Sequence, residues 1–148
     1  KTPAMPKCYF LTLCGGSTLD QHSNNVTLFN IVEQVNLQPN VEPPPGAYLP
    51  LEVHAYFLLG PGELSQPFEV RFALVAPSGL ELLTDATPHK STTPRYRTRS
   101  LGLPAPAVPG NYQVCVDIRQ PGMDGFTRET LHWPLVVARI EPKPTTVH

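Results

Sequence analysis

Three arginines at alternate positions, Arg95, Arg97 and Arg99, are the clearest candidates for chemistry in this sequence. In an extended strand that spacing puts all three on one face, with Tyr96 and Thr98 on the other. No acid occurs between Asp85 and Asp117, and Lys90 adds charge to the same region. Guanidinium groups in a row suit a carboxylate, a phosphate or an acidic protein surface, because each presents a planar fork of donors. The same row also serves a solvated strand edge, where charge discourages pairing with another chain.

Other reactive types are present without the spacing that would make them work. Cys14-Gly15-Gly16-Ser17, with Asp20 and His22 nearby, suggests a nucleophile. A catalytic cysteine needs a base and usually a cation or helix N-terminus to lower its pKa, and nothing in the sequence locates such partners. The glycines read more simply as the end of a strand. The histidines, His22, His54, His89, His132 and His148, show no HExxH, HxH or CxxC-type spacing. A zinc site would have to be assembled from distant strands. His54 and His132 are expected on outer strand faces, exposed, and within reach of Glu52. Gly15-Gly16 is followed by neither GK[ST] nor GxxG, so no phosphate loop is present. No basic and aromatic strand pattern of the RNA-binding kind appears. The sequence therefore points to no catalytic residue, no metal ligand and no cofactor.

Proline decides what can carry these residues. The chain has 19 prolines among 148 residues, against a usual ~5%. Each would cost about 3 kcal/mol inside a helix. Outside Lys7 to Gln38, no proline-free gap exceeds twelve residues, so short strands and turns are favoured over helices. A 41% hydrophobic and 16% charged composition fits one globular domain. Net charge −1 gives no general attraction to nucleic acid or anionic lipid. No apolar run approaches the roughly 20 residues of a membrane span.

Three cysteines, Cys8, Cys14 and Cys115, make a poor disulfide framework. Reduced thiols are expected, which favours the cytoplasm. Asn25-Val26-Thr27 matches a glycosylation sequon. The chain opens at Lys1 with no signal-peptide pattern, and a start other than Met is compatible with a processed N-terminus.

Period-two patterning centres on Tyr48 to Leu83. Leu51, Val53, Ala55, Phe57 and Leu59 alternate with Glu52, His54 and Tyr56; Phe68, Val70, Phe72 and Leu74 alternate with Glu69 and Arg71. A Gly60-Pro61-Gly62 turn joins them. Before this pair, Lys7 to Leu13 reads as a strand, Thr18 to Asn25 as a loop, and Val26 to Leu37 as one strand. The last carries a competing helical spacing at Leu28, Ile31, Val32 and Val35. Gln38 to Pro50 reads as a stiff crossover between sheets. After the pair, Pro77-Ser78-Gly79 turns into Leu80 to Thr84, and Asp85 to Pro94 is loop. Arg95 to Leu101 and Asn111 to Arg119 are strands separated by a Pro104/Pro106/Pro109 loop. The last strand, about Phe126 to Ala138, follows a hairpin loop. Pro134 predicts an edge or a bulge there. Lys1 to Pro6 and residues 141–148 are expected to be loose tails. The sum is an all-β, antiparallel β-sandwich of seven or eight strands in one domain.

Pro109-Gly110-Asn111-Tyr112-Gln113-Val114-Cys115-Val116 resembles the Pro-Gly-x-Tyr-x-Val-x-Val entry into a late strand of immunoglobulin-like sandwiches. The antibody cysteine is absent: it lies two residues after the tyrosine, whereas Cys115 lies three after Tyr112. A broader resemblance runs through Cys8-Tyr9-Phe10-Leu11, Val26 to Val32, Leu51-Glu52-Val53, Phe68 to Gly79 and Trp133-Pro134-Leu135-Val136-Val137. This order is similar to a group of small uncharacterised bacterial β-sandwich proteins. The resemblance implies strand at Val26 to Val35 and brings no activity or catalytic residue. The expectation is a non-enzymatic interaction or structural module that meets a protein partner, or a second copy of itself, through sheet edges or proline-rich loops. The alternative is an extracytoplasmic adhesion or carbohydrate-binding sandwich.

Overall fold

Strand is what the proline spacing leaves open, and strand is what forms. The computed structural model describes residues 5–141. Among them are ten strands, one 3-10 turn (Pro61–Glu63) and no α-helix. Among the described residues, no helix is long and apolar enough to cross a membrane. One sheet has four strands: β1 (Lys7–Leu19), β2 (Val26–Ile31), β4 (Tyr48–Leu58) and β8 (Arg95–Pro104), in the order β2-β1-β4-β8. The second contains β3 (Gln34–Leu37), β10 (Thr127–Arg139), β9 (Gly110–Arg119), β5 (Phe68–Val75) and β6 (Glu81–Leu83), in that order. A further short strand, β7 (Thr87–His89), pairs with β5 at Phe68–Val70, next to the stretch that pairs with β6. Each pairing is antiparallel except β3 with β10, which is parallel.

The inward residues are those of the apolar alternation. Val53, Ala55 and Phe57 of β4 are fully buried against Val70, Phe72 and Leu74 of β5 and Val114, Val116 and Ile118 of β9. Burying a side chain of this size contributes ~1.5–3 kcal/mol. β4 and β5 lie in opposite sheets, so the Gly60 turn carries the chain across the core. Phe57 and Phe68 meet edge-to-face at 5.8 Å just beyond that turn, and the Glu63 carboxylate accepts from the Gly60 N–H at 3.1 Å to brace it. At the other end of the sandwich, the Tyr112 hydroxyl donates to the Val108 carbonyl at 2.6 Å, fixing the entry to β9.

The outer face of the second sheet is closed by charge. Asp117 alternates outward as expected, yet it is only 1% exposed. Arg71 Nε donates to its Oδ2 at 2.9 Å and Arg128 Nε to its Oδ1 at 2.8 Å. Arg128 also pairs with Glu81, and Arg119 with Glu69 at 2.9 Å. The guanidinium carbons of Arg71 and Arg119 lie 4.0 and 4.3 Å from the Phe126 ring centroid. Each is a cation–π contact that draws Phe126 over the charged residues of this face.

Several boundaries differ from the sequence expectation. Ten strands replace seven or eight, and the pairing is not wholly antiparallel. Gly15 and Gly16 do not end β1; they continue it to Leu19, because β2 pairs with it from Val26 to Ile31. Only residues 20–25 form the loop. Val26 to Leu37 is strand, not helix, but it is two strands in different sheets. Asn30 takes a left-handed φ of 53°, which bends the chain out of β2. Val32 then bridges the sheets: its N–H donates to Leu13 O and its carbonyl accepts from Trp133 Nε1 at 2.9 Å. The predicted loop after Asp85 contains β7. β10 is an inner strand, flanked by β3 and β9. Pro134 is still accommodated, because β3 pairs only from Val136 onward. Val136 N–H donates to Glu33 O, and N–H groups two apart point the same way, so the N of Pro134 faces the part of that edge with no ladder partner. A register shift also lies between Arg128 and His132. At the N-terminus, Pro6 is buried and Met5 packs on the core, so they are not part of a loose tail. The remainder of both predicted tails, residues 1–4 and 142–148, lies outside the described residues.

Gly110 tests this frame. Its φ is +154°, and a Cβ there would stand 2.9 Å from Pro77 Cγ. Gly110→Ala should lose about 1–3 kcal/mol in urea unfolding. Gly125→Ala, with nothing within 4 Å, should stay within about 0.5 kcal/mol of the parent.

Candidate ligand site on the outer face of the four-stranded sheet

The β1–β4 ladder sorts its residues by face. Leu11 opposes Ala55 and Leu13 opposes Val53, and all four enter the core. The intervening pairs are Thr12 with His54 and Cys14 with Glu52. Directly opposed residues of an antiparallel ladder project from the same face. Thr12, Cys14, Glu52 and His54 therefore form a two-by-two block on the outer side.

That outer side is not open solvent. Thr12, Cys14 and His54 are all buried. Ser17, Leu19 and Val26, from the far end of β1 and the start of β2, line the same groove as Arg95, Arg97 and Arg99 of β8. β4 separates β1 from β8 in the sheet, so the sheet curls over its own outer face. The groove has a volume of about 690 Å³, with His54 and Tyr56 among the residues lining it. His54 is thus on the expected face and beside the expected Glu52, but curvature buries it. The expectation of an exposed histidine is corrected there. His132 lies on β10 in the other sheet and is exposed.

Glu52 is the electrostatic centre of the block. Its Oε1 accepts from Ser17 Oγ at 2.7 Å and meets His54 Nε2 at 2.9 Å. Arg99 Nη1 stands 3.9 Å from Oε2. The Ser17 hydrogen bond, aided by His54 and Arg99, holds the carboxyl below its ordinary value despite burial. Cys14 Sγ lies 3.4 Å from Gly16 O, and burial pushes its thiol up. Burial likewise raises Cys115, and pushes Cys8 up to about 11. A thiol so held is a poor nucleophile, because the thiolate is the reactive form. Cys14 is approached by Glu52 and His54. Asp20 instead caps the exposed turn after β1, accepting from His22 N–H at 2.9 Å.

The ligand atoms of Cys14, Glu52 and His54 all lie within 4.8 Å of one another. Thr12 Oγ1, beside them, is a buried side-chain oxygen with no hydrogen-bond partner among the described residues. The arginine stripe falls where its alternation placed it. Arg95, Arg97 and Arg99 are exposed, while Thr98 is buried with its hydroxyl donating to Ala55 O at 2.8 Å. Tyr96 turns inward, its hydroxyl 2.8 Å from His89 Nδ1. Arg97 lies over the Tyr56 ring at 5.6 Å, and Lys90 is exposed but does not line the groove. The acid-free stretch of sequence is therefore not acid-free in space, since Glu52 faces Arg99.

Sequence reasoning missed the Cys14–Glu52–His54 block. Half of the signal was present: Glu52 and His54, two apart on a strand with an apolar odd face, must share the other face. The Cys14 half depends on register.

Compared with known proteins, the chain matches no family model and no curated protein sequence.

Two outcomes follow. The three cysteines are free and buried, so an aromatic disulfide reagent should leave all three unreacted in the native protein and titrate three after denaturation. Glu52 has a depressed pKa in the fold. Its contribution is present above the unfolded value of about 4.3 and is lost as pH falls through the lower folded value. Ser17→Ala should therefore move the acid-unfolding midpoint, followed by circular dichroism, to higher pH.

Proposed function

We propose that this chain is a non-enzymatic, immunoglobulin-like sandwich that binds an extended acidic segment of a protein partner along β8. The observation that carries this reading is an edge strand with three exposed arginines at alternate positions facing a groove. β8 pairs with β4 alone, so its other edge is unpaired in the sheet order. A peptide that adds to such an edge gains ladder hydrogen bonds, and every second side chain lies on the arginine face. Residues two apart on a strand are about 6.6–6.8 Å apart. Acidic residues at alternate peptide positions would thus stand opposite Arg95, Arg97 and Arg99 in register. Each pairing would be a charge-assisted hydrogen bond.

The immunoglobulin-like assignment is supported by topology. β1, β4 and β8 share one sheet, β5, β9 and β10 share the other, and β3 adds in parallel to β10. The Tyr112–Val108 hydrogen bond supports it as well, being of the tyrosine-corner kind. Three free, buried thiols support a reducing compartment such as the cytoplasm. For the alternative of an extracytoplasmic adhesion or carbohydrate-binding module, the supporting feature is Asn25 of the sequon, exposed in the turn after β1.

Fluorescence anisotropy with a labelled peptide carrying glutamate at every second position tests the proposal. Binding should weaken with added salt. Arg97→Glu should weaken it tenfold or more, from the ~1.5–3 kcal/mol of a hydrogen bond to a charged group. Equal binding of a peptide with the same glutamates grouped at one end, or no effect of Arg97→Glu, would refute it.

A further inference from the structure

The geometry points to a divalent-metal site of the zinc class, formed by Cys14, Glu52 and His54 on the outer face of the β1–β4 ladder, where His54 also lines the groove. Three different ligand atoms, a sulfur, a carboxylate oxygen and an imidazole nitrogen, converge from two hydrogen-bonded strands to within 4.8 Å. Tetrahedral zinc, with bonds of ~2.0–2.3 Å, holds its ligands roughly 3.3–3.7 Å apart. His54 Nε2 and Glu52 Oε1, already 2.9 Å apart, would open slightly to take the ion, and Cys14 Sγ, within 4.8 Å, would complete the set. A thiolate and an imidazole in one set favour zinc-like ions over magnesium or calcium, which take oxygen. As the Sγ–metal bond forms, the thiol proton leaves to solvent. The resulting thiolate and the Glu52 carboxylate together balance the ion's two charges.

Two features lie outside the ligand set and support it. Ser17 Oγ, 2.7 Å from Glu52 Oε1, orients the carboxylate as outer partners of metal ligands do. Thr12, 1% exposed, shares the face with Cys14 and stands directly across from His54, yet its hydroxyl has no partner among the described residues. A buried hydroxyl left unpaired is unfavourable, so it calls for a partner. A water on the metal's open position gives it a partner. Ser17 and His54 line the groove, which provides the route of entry. Arg99 opposes a cation, but its side chain is 53% exposed and 3.9 Å from Glu52, so it is free to turn outward.

Cobalt(II) added to the folded, metal-stripped chain is the probe, with zinc as competitor. One equivalent should bind and give a near-ultraviolet thiolate-to-cobalt charge-transfer band that zinc abolishes. Cys14→Ser should remove the band and Cys115→Ser should keep it. His54→Gln and Glu52→Gln should each weaken binding tenfold or more, Ser17→Ala about tenfold, and Arg99→Gln should tighten it several-fold. Absence of the band in the folded parent overturns the site, and so does its persistence in folded Cys14→Ser. Should Cys14→Ser fail to fold, unchanged cobalt affinity in both His54→Gln and Glu52→Gln overturns it.

Discussion

The register between β1 and β4 is the constraint on which core and site both depend. One set of its cross-strand pairs, Leu11–Ala55 and Leu13–Val53, fills the space between the sheets. The alternate set, Thr12–His54 and Cys14–Glu52, builds the polar block on the opposite side. A slip of one residue in β1 would send Thr12 and Cys14 into the core and Leu11 and Leu13 outward. Hydrophobic burial of the first set therefore positions the second, and the polar residues need no rigid scaffold of their own. Glu52 then anchors the block, joined to Ser17 within the curl and to His54 on its own strand.

The two sheets solve the same problem differently. Each must cover an outer face that alternation leaves polar. The larger sheet uses its own long cations: Arg71 and Arg128 enclose Asp117, and the guanidinium groups of Arg71 and Arg119 lie over Phe126. The smaller sheet bends, so that the far end of β1 and the start of β2 share a groove with His54 and β8, and Thr12, Cys14 and His54 are buried. The bend leaves the arginines of β8 without comparable enclosure. Arg97 has an aromatic neighbour and Arg99 a distant carboxylate. Charge is thus internally matched on one face of the molecule and outward-looking on the other.

Much of the fold was legible because period two and proline are local signals. The alternation at Val53 to Phe57, at Phe68 to Leu74 and at Tyr112 to Ile118 gave the inner faces correctly. The arginine stripe was legible for the same reason. What depends on distant partners was not. Gly15-Gly16 reads as a stop until Phe29 pairs with Gly16 and Leu28 with Ser17. Thr87–His89 is a strand because β5 has an edge to offer, not because Thr-Pro-His favours one. His54 reads as exposed because alternation reports which face a residue takes, not whether the sheet curls over that face. Cys14 gains its neighbours through a ladder between segments about forty residues apart, and no local pattern encodes that pairing.

The parallel contact of β3 with β10 has a kinetic consequence. It joins Gln34–Leu37 to Val136–Arg139, so the segment looped between them spans most of the chain. The entropy of closing a loop grows with its length and is lost before any contact across it offsets the loss. Seams of that kind place a sandwich among domains that fold in milliseconds to seconds rather than microseconds. The stretch of that β10 edge beside Trp133 stays without a ladder partner even in the folded chain, and Pro134, which has no N–H to offer, makes it a poor template for a foreign strand.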